Sequence, residues 1–564
     1  MRVAFGCTRA EIVSAQHPWL ADVSFDSVDV MSLMVPIVAN TEGQPCSRVG
    51  GAILNRLPEH QRSRILSGMR WTVWLSAIAV PFSVAINLLL ARVGPVTLGV
   101  YGLLSIYIAL TSSFLYFGGD TVVMRFIPEY SREDCASFLV SYLIVILAVV
   151  SGWLVFAWFC PAAMRLAFGE SRGGRFNLLL LCLSIVPIAF AMVVASLKGM
   201  LEVQASQLLT KLLTFGSLVA FAAIFACDRS LLIYYPTTVI FSVYLGFSAV
   251  LGVIGAIKVV RLCRTPRLRW CLPAGFWRYA FSTQQVSVTA FLAHKLDYVL
   301  IVNFGGLKLL GEYVGVITVA AMVPMVSGFF MDTLLPALTN TVAARNYAGA
   351  AQVFMVHMRI LFLVVTATSC AVMLLAVPAT MVMGANYASL AGLIIFMAAA
   401  FGIASPGAFG GTLLASIGRQ QLAAWVRIFN LVLFICLFFL LWRRWHLTGA
   451  VVSYGVALII SNVILMATAL NTARFASPIS GLWLKSAAVQ TAVSFVALRW
   501  MPLGMTSASV IWMSAMAVFL WLARYDASEC RDLVRTFLPS SRRAAPDDSN
   551  APFADPVRPV VAVH

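Results

Sequence analysis

From residue 71 to residue 523 the chain repeats one pattern: an apolar run of about twenty residues, then a short break rich in charge, glycine or proline. A helix rises 1.5 Å per residue, so about twenty residues cover roughly 30 Å of hydrocarbon. With charges and Gly/Pro clusters as boundaries, the pattern predicts fourteen spanning helices. They lie near 71–91, 98–118, 136–159, 177–197, 208–227, 231–257, 279–303, 312–334, 360–383, 390–414, 425–442, 447–470, 482–501 and 506–523. The fifth, seventh and eighth depart from a plain apolar run, because Lys211, His294, Lys295, Asp297 and Asp332 sit inside them or at their rims.

Composition agrees with the pattern. Apolar residues make up 61% of the 564 and charged residues 11%, against roughly a quarter charged in soluble chains. The predicted fold class is therefore an all-α polytopic membrane protein. Eleven cysteines are scattered with no Cys-x-x-Cys pair, and the six His residues do not cluster, so no metal site is expected. No phosphate-cradling glycine loop stands out and no soluble insertion could house a nucleotide-hydrolysing domain. Neither covalent chemistry nor a cofactor is expected.

The net charge of +17 becomes a topology signal once the basic residues are placed. With the N-terminus inside, the cytoplasmic loops hold sixteen Lys/Arg and the external loops nine, as the positive-inside rule requires. The densest group is Lys258, Arg261, Arg264, Arg267, Arg269 and Arg278. Both tails are basic, and an even number of spans places both termini in the cytoplasm. The charge fits anionic lipid headgroups rather than nucleic acid, since no basic cluster is interleaved with aromatics in a soluble domain.

This gives an N-terminal extension over 1–66, a first lobe of six helices over 67–258, a basic loop over 259–278 and a second lobe of six helices over 279–475. A helix pair over 476–524 and a cytoplasmic tail over 525–564 follow, the tail disordered from about residue 538 by its Pro/Ser/Ala composition. The extension has no signal-peptide pattern. Either it is a disordered cytoplasmic segment or translation begins later, at Met31, Met34 or Met69.

The two lobes are predicted to be repeats. "LLLARVGPVTLGVYGLLSIY" (88–107) matches "VLIVNFGGLKLLGEYVGVITVA" (299–320), pairing Gly94 with Gly305 and, after one inserted residue, Gly99 with Gly311 and Tyr101 with Tyr313. At the same offset of 212, Asp120 and Thr121 fall on Asp332 and Thr333.

The segment "ARVGPVTLGVYGLLSIY...FGGDTVVMRFIPEYSRED" (91–134) resembles the start of the polysaccharide exporters, the Wzx-type flippases, of the multidrug/oligosaccharidyl-lipid/polysaccharide exporter superfamily. "KLDYVLIVNFGGLKLLGEYVGVITVA" (295–320), "LPALTNTVAARN" (335–346), "VMGANYASLAGLIIFM" (382–397) and "LTGAVVSYGVAL" (447–458) resemble its second half. The resemblance implies a V-shaped bundle of two six-helix lobes with a central cavity opening alternately to each side of a bacterial inner membrane. It implies a polyprenyl-diphosphate-linked oligosaccharide as substrate, and polysaccharide polymerase and export machinery as partners besides membrane lipids. The product would be an exopolysaccharide, capsule or O-antigen. A multidrug or metabolite antiporter of the same superfamily is the alternative. A polytopic polymerase or glycosyltransferase would need a longer external loop than residues 160–176, whose acid is Glu170.

Moving a diphosphate and sugars through a bilayer needs cations, amides and hydroxyls kept from lipid. In "FSTQQVSVTAFLAHKLDYVLIV" (281–302), Gln284, Val288, Phe291 and Lys295 form a stripe at helical spacing, and His294 and Asp297 are three apart. A charge at the centre of a span costs about 2.5–3.5 kcal/mol on insertion scales, so Lys295 and Asp297 should face water or partners. Lys295 can hold a phosphate, neutralise Asp297 or another acid, or snorkel outward. His294 can relay protons or be structural. Asp120 and Asp332 can anchor the lobes, hold a coupling proton or sodium ion, or pair with Arg125, Arg132 and Arg345. In "FGIASPGAFGGTLLASIG" (401–418), Pro406, Gly407, Gly410 and Gly411 make either a hinge or a tight packing face, and Pro81, Pro187 and Pro324 are further kink candidates.

Overall fold

The computed structural model describes residues 81–127, 130, 134–159, 174–200, 202–263, 270–273, 275–325, 327–328, 334, 338, 342, 347–417, 419–473, 479–499 and 505–523. Among them the regular structure is helical and there is no strand, as backbone groups in hydrocarbon require when every N–H and C=O must pair within its own segment. Helix α1 is Pro81–Val93. Then come α2 Pro95–Leu110, α3 Gly119–Phe126, α4 Cys135–Phe159, α5 Gly174–Gly199, α6 Val203–Cys227, the short α7 Arg229–Tyr234 and α8 Pro236–Leu262. The second half comprises α9 Phe276–Ala320, α10 Tyr347–Leu374, the short α11 Ala376–Met383, α12 Ala391–Ser416 and α13 Gln420–Ala473, followed by α14 Ile479–Arg499 and α15 Met505–Ala523. Among the described residues ten helices are long and apolar enough to cross a membrane.

Two of these helices are bent into two arms. In α9 the break is Gly306, at φ 75°, a conformation glycine adopts without steric cost. In α13 it is His446, at φ 42°. The second arm of α9 thus begins before residue 312, where the hydrophobic pattern placed it. Lys308 and Glu312, one turn apart in this second arm, lie on one helical face and interact.

The outer surface is apolar where a soluble protein's would be polar. On α8, Val250, Val253, Ile254, Ile257 and Val260 are exposed while Ile240, Phe241, Ser248, Leu251, Gly255 and Val259 are buried. An exposed apolar stripe at helical spacing is what a lipid-facing helix requires. The chain is a multi-pass membrane protein.

The two halves meet along α2 and α9. A Cβ on Gly99 would overlap the carbonyl oxygen of Leu307, and a Cβ on Gly311 would overlap that of Pro95. Exchanging the halves by the offset of 212 turns each contact into the other, and Gly102 packs on its own counterpart, Val314. This reciprocity is the geometry of a two-fold interface formed within one chain.

The C-terminal pair docks on the second half through polar groups. Trp483 Nε1 donates to the Ile403 carbonyl at 2.8 Å and Trp512 Nε1 to that of Ala367 at 2.9 Å. Gln490 is fully buried, and Gly402 leaves it room, since a Cβ there would overlap its amide oxygen. Small residues and interhelical hydrogen bonds substitute for the hydrophobic drive that lipid removes.

Candidate functional site

On the first arm of α9, Gln284, Phe291 and Lys295 of the predicted stripe face α2 and the turn that follows it. Gln284 Nε2 donates to the Ser113 carbonyl at 2.6 Å, and its Oε1 accepts from the Gly118 amide at 3.0 Å. These backbone groups are free because α2 ends in a π-helical turn, Thr111–Leu115, after which Gly118 turns left-handed at φ 79°. Phe291 meets Phe114 edge to face at 5.6 Å. Lys295 Nζ donates to Ser105 Oγ at 2.7 Å and lies 4.4 Å from the centre of the Tyr298 ring. Gln284 and Lys295 thus clasp the other half at two heights, and Gly99 with Gly311 closes the same seam further along.

Asp297 leaves the helix about 200° round from Lys295 and points into the second half. It is buried; Oδ2 accepts from the Tyr313 hydroxyl at 2.7 Å, while the buried Oδ1 has no hydrogen-bond donor among the described residues. Lys295 donates to Ser105 and forms no ion pair with Asp297 among the described residues, although the two charges interact. The side chain of His294 lies outside the described residues.

Next to Asp297 the second half contains a cavity of about 600 Å³. It is walled by α9, α12 and both arms of α13, with Ala293, one turn before Asp297, at one side. Its polar lining is Ser327, Ser405, Thr412, Arg427, Asn430, Tyr454, Ser461 and Asn462, and no carboxylate is among the described residues that line it. Arg427 is exposed and makes no ion pair among the described residues. Asn430, three residues on, has a buried Oδ1 without a donor among the described residues.

The sequence reading missed Arg427 and Asn430. Arg427 lies two residues inside the eleventh predicted span, 425–442. The available signal was the pair itself, a cation and an amide three apart in "AAWVRIFNLV", on one face of an apolar run.

Asp120 stands in the first turn of α3, outside the long spans. Its Oδ1 and the Tyr116 hydroxyl are buried neighbours that miss hydrogen-bond geometry. Burial pushes its carboxyl above the ordinary carboxylate range, with Lys198 and Tyr116 offsetting part of the shift. Arg125, in the last turn of α3, neighbours Tyr279 on α9. Asp332, Arg132 and Arg345 lie outside the described residues.

Pro406, Gly407 and Gly410 are buried in α12. A Cβ on Gly407 would overlap the backbone of Asn462, and one on Gly410 would come within 2.9 Å of Met466 Cα, whereas one on Gly411 would meet a side chain at 3.6 Å. Gly407 and Gly410 form a close-packed seam with the second arm of α13, and Gly411 is free to carry a side chain.

No family model matches the sequence and no curated protein matches it. Solved structures do match. A structure of the lipid II flippase MurJ in an inward closed conformation aligns with a TM-score of 0.59 at 14% identity, over 82% of this chain and 99% of that one. An inward-facing multidrug resistance MATE family transporter of the MOP superfamily aligns with a TM-score of 0.56 at 14% identity, over 70% of this chain and 94% of that one. The chain therefore has a fold shared with a lipid II flippase and with a MATE transporter of the MOP superfamily.

Proposed function

We propose that the protein is a flippase of the Wzx type that carries polyprenyl-diphosphate-linked oligosaccharide units across the bacterial inner membrane, for exopolysaccharide, capsule or O-antigen assembly. The observation that carries this reading is the lining of the cavity: one arginine, two amides and several hydroxyls, with no acid among the described residues. Such a surface replaces the hydration of sugars and of an anion. The likeness in fold to a lipid II flippase supports it. The likeness to a multidrug transporter makes an antiporter the rival, but a cationic drug would meet Arg427 with no carboxylate among the described lining residues to balance its charge.

Lipid-linked units enter from the cytoplasm, the seam along α2 opens and closes in alternating access, and Lys295 engages the diphosphate once released from Ser105. A proton or sodium gradient resets the cycle, with both termini cytoplasmic and a polymerase and export machinery receiving the product. The protein moves its substrate without covalent change. In cells lacking it, lipid-linked units should accumulate on the cytoplasmic leaflet while their synthesis continues. Normal amounts on the outer leaflet would remove this reading, and altered sensitivity to cationic compounds with unaltered surface glycan would favour the antiporter.

A further inference from the structure

The cavity asks for more than an oxyanion. Arg427 presents a fork of donors and no acceptor, and it makes no ion pair among the described residues. Asn430 lies on the same face of α13 and lines the same cavity. Side chains three apart on a helix stand about 5–6 Å apart at Cβ. The ligand must therefore bring an acidic group for Arg427 and a hydrogen-bonding group for the neighbouring amide. Phe401 and Tyr454, edge to face at 6.4 Å, also line the cavity and offer aromatic surface to an apolar face. A diphosphate supplies no apolar face for the rings, and a neutral sugar supplies one but leaves Arg427 unanswered.

We infer that this cavity is a recognition site for an acidic sugar of the uronic-acid type, its carboxylate on Arg427, a ring hydroxyl against the Asn430 amide and its C–H face toward Tyr454 and Phe401. The inference rests on the flippase reading and narrows it: the transported unit contains an acidic sugar, read by the second half alone while its diphosphate lies elsewhere.

The test uses the full-length protein in lipid nanodiscs and three lipid-free probes: a glucuronyl-β1,4-glucose disaccharide, its neutral counterpart cellobiose, and inorganic pyrophosphate. Titration calorimetry should give at least about tenfold tighter binding of the acidic disaccharide than of cellobiose, with no displacement by pyrophosphate. Arg427→Gln should bring the two disaccharides to within about twofold of each other. Asn430→Leu should weaken both alike. Arg427→Lys retains the charge without the fork and should keep part of the preference, so it serves if Arg427→Gln does not fold. Equal affinity for the two disaccharides in the parent protein, displacement by pyrophosphate, or an undiminished preference in Arg427→Gln would each overturn the assignment. The accumulation of lipid-linked units in cells lacking the protein is independent of these titrations. Loss of the acidic-sugar preference with accumulation intact would remove this site and leave the flippase, whereas preference without accumulation would do the reverse.

Discussion

Lys295 on α9 donates a 2.7 Å hydrogen bond to Ser105 on α2, across the seam between the two halves of the chain. A charge-assisted hydrogen bond contributes about 1.5–3 kcal/mol, enough to bias a seam that has to open without locking it. Lys295→Ala should abolish export at normal protein level. Ser105→Ala should weaken the closed seam and leave export detectable. A double-mutant cycle on thermal unfolding in detergent should give a coupling of about 1 kcal/mol or more between the two positions; additive single effects would mean the contact does not hold the halves together.

Gly99 and Gly311 set the distance between the halves, because each presses on backbone of the other. Backbone cannot swing aside as a side-chain tip can. Gly99→Ala and Gly311→Ala should each cost about 1–3 kcal/mol, the range of overpacking. Gly152→Ala, with nothing within 4 Å of the added carbon, should be neutral or stabilising by up to about 1 kcal/mol. Thermal unfolding of the three variants separates these outcomes, and equal melting temperatures would count against the close approach.

Asp297 accepts a 2.7 Å hydrogen bond from the Tyr313 hydroxyl. Tyr313→Phe removes it and strands a buried carboxylate, which should cost about 1–3 kcal/mol or more. Asp297→Asn lightens the burden, so the double variant should be more stable than the sum of the single losses predicts. Denaturation of the four proteins side by side measures the difference.

Asp120 carries a carboxyl raised above its ordinary range by burial. The folded protein then holds a proton that the unfolded chain has released, in the window from the ordinary carboxylate range up to the raised value. Stability accordingly falls as pH rises through that window and is recovered on acidification. Asp120→Asn should remove this dependence and raise the melting temperature near neutral pH, as a melting series across pH would record. An unchanged profile would show that Asp120 is not the group responsible.

Several features were legible along the chain because they follow from local rules. The bilayer leaves one backbone solution for an apolar run of about twenty residues, so helices and their order could be read directly. The offset linking Gly99 with Gly311 was also visible, since glycine is constrained by close approach and leaves a mark in the sequence. Gln284, Val288, Phe291 and Lys295 were placed on one helical face by spacing alone, and Gln284, Phe291 and Lys295 share that face in the structure. Its destination could not be read: both a polar cavity and a neighbouring helix satisfy the same stripe, and the structure puts α2 there.

What only the tertiary structure decided is which polar residues converge. Arg427, Asn430, Tyr454 and Asn462 lie on the two arms of α13, and Ser405 and Thr412 on α12; their meeting around one cavity depends on how far each helix is rotated about its own axis. Hydropathy along a chain fixes the length of a span and carries almost nothing about that rotation when every side of the helix is apolar. The rotation is set instead by close contacts such as Gly407 on Asn462 and Gly410 on Met466, between residues more than fifty positions apart.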